Sequence, residues 1–383
     1  MLTFKCLYCS EDVRRSNRAR HFKNTACRGD NDKERLVVDF LENSSGPQKI
    51  QAEAFNSVIK QAGGLSTLQD GGDNKSPFLF PKAQCVRSDY TDFDIFNDAL
   101  SNYDKKKDVV YSAENSFQPN KKAVLSQVIE QLYNPDLSGV KYAVNLGREK
   151  IVYRPARLEH HDTKSEMITS INITPLGSFV GPHIGKLDSR RCSVALTDGK
   201  TDQGNHVVTA LGMNCIKLWA MYPPTDSNLD TFRNYRRSEK KYGELLPSFD
   251  NPQVAVQNSN EAIYLPPGWI HATYTLRGGI VYGINYTTED CFEITRLVLR
   301  IETECFETIQ REDVTPFLES VLILIEKHPQ KKELAQSALN EFSKREEVKD
   351  HNLFKRMYDK RSRNHGMGPG TNIKKRKKGQ CKE

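Results

Sequence analysis

The chain has 383 residues, a net charge of +7 and 37% hydrophobic residues, enough to build a sizeable core in one large domain or two. No run approaches the roughly 20 apolar residues of a membrane-spanning helix, and the strongest candidate, Val321-Leu-Ile-Leu-Ile325, is far too short. The N-terminus lacks the basic stretch and apolar run of a secretory signal. Nine cysteines, odd in number and mostly scattered, argue for a reduced, intracellular chain rather than a disulfide framework.

Charge is unevenly spread. Residues 1–30 hold seven basic and three acidic side chains (+4), and residues 351–383 hold eleven against two (+9), so residues 31–350 carry −6. Two basic ends on a mildly acidic body point to nucleic-acid or nucleosome contact at the termini, not to a basic catalytic groove.

In chain order, the first pattern is Cys6-x2-Cys9-x11-His21-x5-Cys27. Two thiolates on a tight knuckle and a His/Cys pair from a following helix are a tetrahedral donor set for zinc. Arg14 to His21 is the expected helix, with Phe4 and Phe22 as a miniature core, and its arginines suit phosphate contact. Contact with protein alone is the alternative role. A module this small has little core, so the metal supplies its folding energy.

Residues 31–60 read as helix, with apolar residues at helical spacing in Arg35–Leu41 and Ala52–Ile59. Gly, Ser and Asp mark loops at 62–66 and 70–76, the second being the expected linker. From about residue 89 to 286 short β-like runs appear at 142–145, 167–173, 215–222, 253–257, 262–265 and 279–286, suggesting a sandwich or barrel. Residues 292–309, 314–327 and 331–346 are helical in pattern. His206, in a polar stretch, is expected to be solvated, and Trp269 to be a core or rim aromatic. The tail ends in Lys374-Lys-Arg-Lys-Lys378, whose pattern suits nuclear localisation.

The most informative segment is Glu261-Ala-Ile-Tyr-Leu-Pro-Pro-Gly-Trp-Ile-His271-Ala-Thr273. An apolar strand enters a Pro-Pro-Gly turn, and a histidine stands on the strand leaving it. Upstream lie Ser178-Phe-Val-Gly-Pro-His183, Lys217-Leu-Trp219 and Pro223-Pro-Thr-Asp-Ser-Asn-Leu229; downstream lies Gly283-Ile-Asn285. In this order the segments resemble the JmjC family over roughly residues 90–310. The wording of Pro224–Leu229 and Gly268–Ala272 is most similar to the histone lysine demethylases of the PHD-finger and F-box-related branch.

The resemblance implies a mixed α/β chain: a double-stranded β-helix, a jelly-roll or cupin-like JmjC barrel, with flanking helices and a small N-terminal zinc finger. It implies a zinc finger at 1–30, a helical segment and linker at 31–84, the barrel at 85–310, C-terminal helices at 311–350 and a basic, disordered tail at 351–383. Family members bind Fe2+ through His-x-Asp/Glu and a distant His, leaving positions for 2-oxoglutarate and oxygen. The implied iron ligands here are His183 and His271, with Lys217 and Asn285 at the 2-oxoglutarate. Lys217 would pair with its distal carboxylate.

Three departures weaken the chemistry. Gly185 stands in place of the carboxylate ligand, a polar stretch at Thr197–Gly204 is inserted, and Val180 replaces a Thr that holds 2-oxoglutarate in related enzymes. Asp188 is the candidate substitute ligand, and a halide in the emptied position, as in His-x-Gly halogenating oxygenases, is a further alternative. The sequence reading is thus a nuclear, chromatin-associated protein that acts by binding a histone tail or DNA in transcription regulation. Its competitors are an active Fe(II)/2-oxoglutarate-dependent histone lysine demethylase and a zinc-finger DNA-binding protein with a scaffolding barrel.

Overall fold

The structure, a computed structural model, describes residues 3–24, 27, 29–69, 71–101, 103, 109–112, 115–119, 124–146, 151–158, 168–183, 204–236, 242–305, 309, 311–355 and 357. Gly185, Asp188 and the basic run 374–378 lie outside them. A small ribbon opens the chain: β1 (Thr3–Lys5) pairs antiparallel with β2 (Asp12–Arg14), and α1 (Arg18–Asn24) follows.

Next come α2 (Asn31–Asn43) and α3 (Pro47–Gln61). Asp30 caps α2, its carboxylate accepting the backbone N–H groups of Asp32 and Lys33 at 2.9 and 3.1 Å. Pro47 starts α3, where its missing N–H costs nothing. The apolar stripes of both helices, including Val37, Phe40, Phe55 and Val58, share one core cluster with Phe179, Leu218, Ala220 and Tyr274. Phe40 stacks on Tyr274 with ring centroids 3.9 Å apart. Leu65 and Leu68, in the loop-rich stretch after α3, are also buried.

The remaining strands are β3 (Phe78–Pro81), β4 (Val109–Ser112), β5 (Asn115–Pro119), β6 (Lys141–Leu146), β7 (Ile168–Thr174), β8 (Phe179–His183), β9 (His206–Gly212), β10 (Ile216–Tyr222), β11 (Gln253–Gln257), β12 (Glu261–Leu265), β13 (Ile270–Arg277) and β14 (Gly279–Tyr286). They form two antiparallel sheets. One runs β3-β12-β9-β14-β7-β6-β4-β5 and the other β11-β10-β13-β8. From β7 onward the chain passes back and forth between the sheets, except that β10 and β11 are neighbours in one of them, and this makes a sandwich.

Alternation along the strands divides the side chains between layers. Val207, Ile263 and Leu265 meet Trp219, Met221 and Ala255 between the sheets. Val208, Ala210, Tyr264, Tyr282 and Ile284 turn outward, share that face with Phe78 and Phe80 of β3, and pack with α4 (Asp92–Ser101) and α5 (Leu125–Tyr133). With both faces covered, β9 and β10 are buried along their whole length. After β10 comes α6 (Asp226–Arg236), and after β14 the helices α7 (Phe292–Cys305), α8 (Arg311–Lys327) and α9 (Lys332–Phe342), the last three building a separate apolar cluster.

One expectation fails here. His206 is not solvated: it opens β9 and is buried, with Nδ1 2.8 Å from the Tyr264 hydroxyl and Nε2 2.9 Å from Thr288 Oγ1. Its ring stacks on Tyr286 at 4.8 Å. Polar neighbours in sequence disguised a strand whose outward face is covered by another layer, a tertiary effect that local hydropathy does not report.

Candidate functional site

The Pro-Pro-Gly turn has a steric cause. Gly268 has φ +79, and a Cβ there would sit 2.2 Å from Ile294 Cγ1, so only glycine both turns the chain and lets α7 approach. The turn delivers Trp269, whose indole N–H donates to the Lys75 carbonyl at 3.2 Å. It then delivers His271 near the start of β13.

His271 and His183 are opposite each other in the β13–β8 pair, although far apart in sequence. Their ring centroids are 4.1 Å apart. Nδ1 of His183 lies 2.8 Å from the Gly181 carbonyl, and Nδ1 of His271 lies 3.0 Å from the Trp269 carbonyl. A carbonyl only accepts, so each Nδ1 carries the hydrogen and each Nε2 carries the lone pair, the tautomer a metal ligand needs. Burial also pushes His271 down to about 4, which keeps it neutral.

Two imidazoles make an incomplete iron set. Among the described residues no third His, Cys, Asp or Glu joins them in a metal-holding cluster. Gly185, which the resemblance puts at the carboxylate position and which has no side-chain donor, and Asp188 both lie outside the described residues. The donors among the described residues do not complete an iron site.

Lys217 shares the inward side of β10 with Trp219 and Met221. It is buried, its Nζ donates to Thr275 Oγ1 at 2.9 Å, and no carboxylate among the described residues forms an ion pair with it. Burial pushes its ammonium down to about 8. Thr275 is directly across the β10–β13 pair, a partner sequence reading did not single out. The Thr273-x-Thr275 alternation on the inward face of β13 was the available signal. Gln257 is likewise buried: it accepts the Trp219 indole N–H at 3.1 Å and donates to the Thr209 carbonyl at 2.9 Å.

The Trp219 and His271 rings are 5.8 Å apart, which links the lysine strand to the histidine pair. Asn285 sits near the end of β14, opposite Val207, on the same side as Val281. Val180 stands opposite Thr273 and packs beside Val140, Tyr142 and Val144.

The second cluster is complete. The ligand atoms of Cys6, Cys9, His21 and Cys27 all lie within 4.8 Å of one another. Cys6 Sγ is 3.7 Å from Cys27 Sγ, and Cys9 Sγ is 3.4 Å from His21 Nε2. Zinc bonds of about 2.0–2.3 Å in a tetrahedron require ligand separations of about 3.3–3.8 Å. The four residues therefore fit zinc, which would act there as a structural cation. Burial drives the Cys6 thiol pKa upward, so a thiolate at that place calls for a cation. Phe22 packs edge-on against Tyr8 at 6.3 Å.

Comparison with known proteins finds distant, partial matches. Lysine-specific demethylase 7A of Homo sapiens is 24% identical over 210 residues, 49% of this chain. JmjC domain-containing histone demethylation protein 1 is 28% identical over 87 residues in Saccharomyces cerevisiae and 23% over 109 residues in Caenorhabditis elegans, 22% and 28% of this chain. The chain is distantly and partially similar to JmjC histone demethylases. The matched stretches span only 21%, 18% and 10% of those relatives. No family model matches the chain. No helix among the described residues is long and apolar enough to cross a membrane.

Proposed function

We propose that this is a nuclear, chromatin-associated JmjC-type protein of the PHD-finger and F-box-related branch that acts by binding, in transcription and chromatin regulation. Its strand order supports reading the sandwich as a double-stranded β-helix, because β12-β9-β14-β7 interleaves with β11-β10-β13-β8 as such a barrel requires. The domain reading is a zinc finger at 1–30, a helical segment at 31–84, a barrel at 85–310 extended by β3, helices at 311–350 and a basic tail at 351–383.

The observation that carries this reading is the buried Lys217, on the same inward side of β10 as Trp219, whose ring approaches His271. A desolvated ammonium with only a hydroxyl acceptor is costly to keep unless an anion sometimes joins it. A dicarboxylate such as 2-oxoglutarate, or an acidic group of similar shape, suits that pocket, and Asn285 is the second candidate contact. Histone tails and DNA are the proposed partners. Contact with DNA phosphates is assigned to the exposed Arg14, Arg20 and Lys23 of the N-terminal module and to the tail.

The competing reading, an active Fe(II)/2-oxoglutarate-dependent lysine demethylase, draws support from the tautomers of His183 and His271. The two separate by incubating the full chain with Fe(II), 2-oxoglutarate and methylated histone peptides and measuring succinate and formaldehyde. Binding without turnover is the expected result. Turnover abolished by His271→Ala would overturn the binding-only reading, and absence of any 2-oxoglutarate binding would remove the anion pocket.

A further inference from the structure

The N-terminal cluster is fastened to the rest of the molecule at its knuckle. Leu7, between the ligands Cys6 and Cys9, accepts the Leu65 backbone N–H at 2.6 Å, while its own N–H donates to Glu34 Oε1. The Glu34 side chain is fully buried, and its other oxygen pairs with Arg18 of α1 at 2.9 Å. A buried carboxylate is tolerable only while such partners stay in place, so undocking the module strands a charge.

Gly64 marks how close the approach is. Its φ is +131, and a Cβ there would lie 2.2 Å from the Leu7 carbonyl oxygen. Ser10 adds a hydroxyl donation to the Gly63 carbonyl at 3.4 Å. Two residues past Gly64, the Ser66 N–H donates to the Val254 carbonyl at 2.7 Å. Val254 lies on β11, the edge strand of the four-stranded sheet, and β11 pairs with β10, which carries Lys217. Beside Glu34, Lys33 grips the Glu261 carboxylate at 2.7 and 2.8 Å, tying α2 to the first residue of β12. An edge strand left open is a liability, and here the segment after α3 covers part of it.

We propose that the Cys6/Cys9/His21/Cys27 cluster is a zinc-set clasp of the barrel. With metal bound, the knuckle holds Gly64 and Leu65 in place, and through Ser66 it holds the β11 edge. Arg18 belongs to the clasp and turns inward, whereas Lys5, Arg14, Arg20 and Lys23 stay exposed on the module. The basic face therefore has one fixed orientation relative to the barrel. The inference rests on the zinc reading of the cluster and adds a structural role for that metal.

The test is amide hydrogen exchange on the full chain, with zinc content measured in parallel. Removing zinc with a chelator is expected to speed exchange about tenfold at residues 63–68 and 253–257, and to leave β14 in the other sheet unchanged. Gly64→Ala, which touches no ligand, is expected to retain zinc and to loosen the same two segments. Arg18→Gln carries the same test should that variant not fold. Loosening confined to residues 3–24, or a Gly64→Ala chain that stays protected at 253–257, overturns the clasp alone. A chain that takes up no zinc fails the metal reading itself, and the clasp with it.

Discussion

The two histidine-bearing clusters of this molecule differ in how their ligands are brought together. At the N-terminus four donors come from one short stretch of chain, and the set is complete. In the sandwich, His183 and His271 arrive on separate strands and meet only through the register of β8 against β13, and among the described residues no carboxylate joins them. A local site stands or falls with its own spacing. A site assembled by sheet register keeps its shape after losing a ligand, because the strands are held by their ladder and their core rather than by the metal.

That contrast predicts unequal responses to substitution. The largest effect is expected for Cys9→Ser, which should abolish stoichiometric zinc binding, since structural zinc contributes on the order of 10 kcal/mol in small modules. Atomic absorption on the purified chain checks it. His271→Ala, by contrast, should leave the fold intact by circular dichroism, and a collapse of the sandwich would break the comparison.

Adding a carboxylate at the position the resemblance assigns to one sharpens it further. Gly185→Asp is expected to raise Fe(II) affinity by at least about tenfold, measured by anaerobic titration. No gain would show that position 185 does not face the histidine pair. Gly268→Ala should cost about 2 kcal/mol or more in denaturant unfolding, because it combines a left-handed φ with a clash against Ile294.

Lys217→Met separates binding from stability. Removing a buried ammonium should stabilise the fold by about 1–3 kcal/mol, while 2-oxoglutarate affinity falls by at least about tenfold, both readable by calorimetry with and without ligand. The smallest effect is in pH. The Lys217 ammonium is pushed down to about 8, so in the free chain it loses its proton as pH rises through that value. A dicarboxylate favours the charged form. Binding should therefore take up protons near pH 8 and weaken above it, visible by titration in buffers of different ionisation enthalpy.

Much of this was legible in advance for physical reasons. The Cys/His spacing encodes a metal knuckle because its geometry is local. The runs at 215–222, 253–257 and 279–286 appear as strands because both their faces are covered, which makes them largely apolar. The strand at 206–212 escaped notice, since its first residue is a histidine satisfied by two hydroxyls that come from distant segments. The role of Thr275 was hidden for the same reason: a threonine in a strand is unremarkable until its partner across the ladder is a buried lysine.

By itself, then, the sequence determined the donor types of the N-terminal cluster and the tight turn at Gly268, both properties of neighbouring residues. Only the tertiary structure decided that His183 faces His271, that Lys217 lacks an acidic partner among the described residues, and that Glu34 and Leu65 hold the Leu7 backbone between Cys6 and Cys9. These depend on sheet register and on desolvation, which arise when distant segments pack, and no local pattern of residues records them.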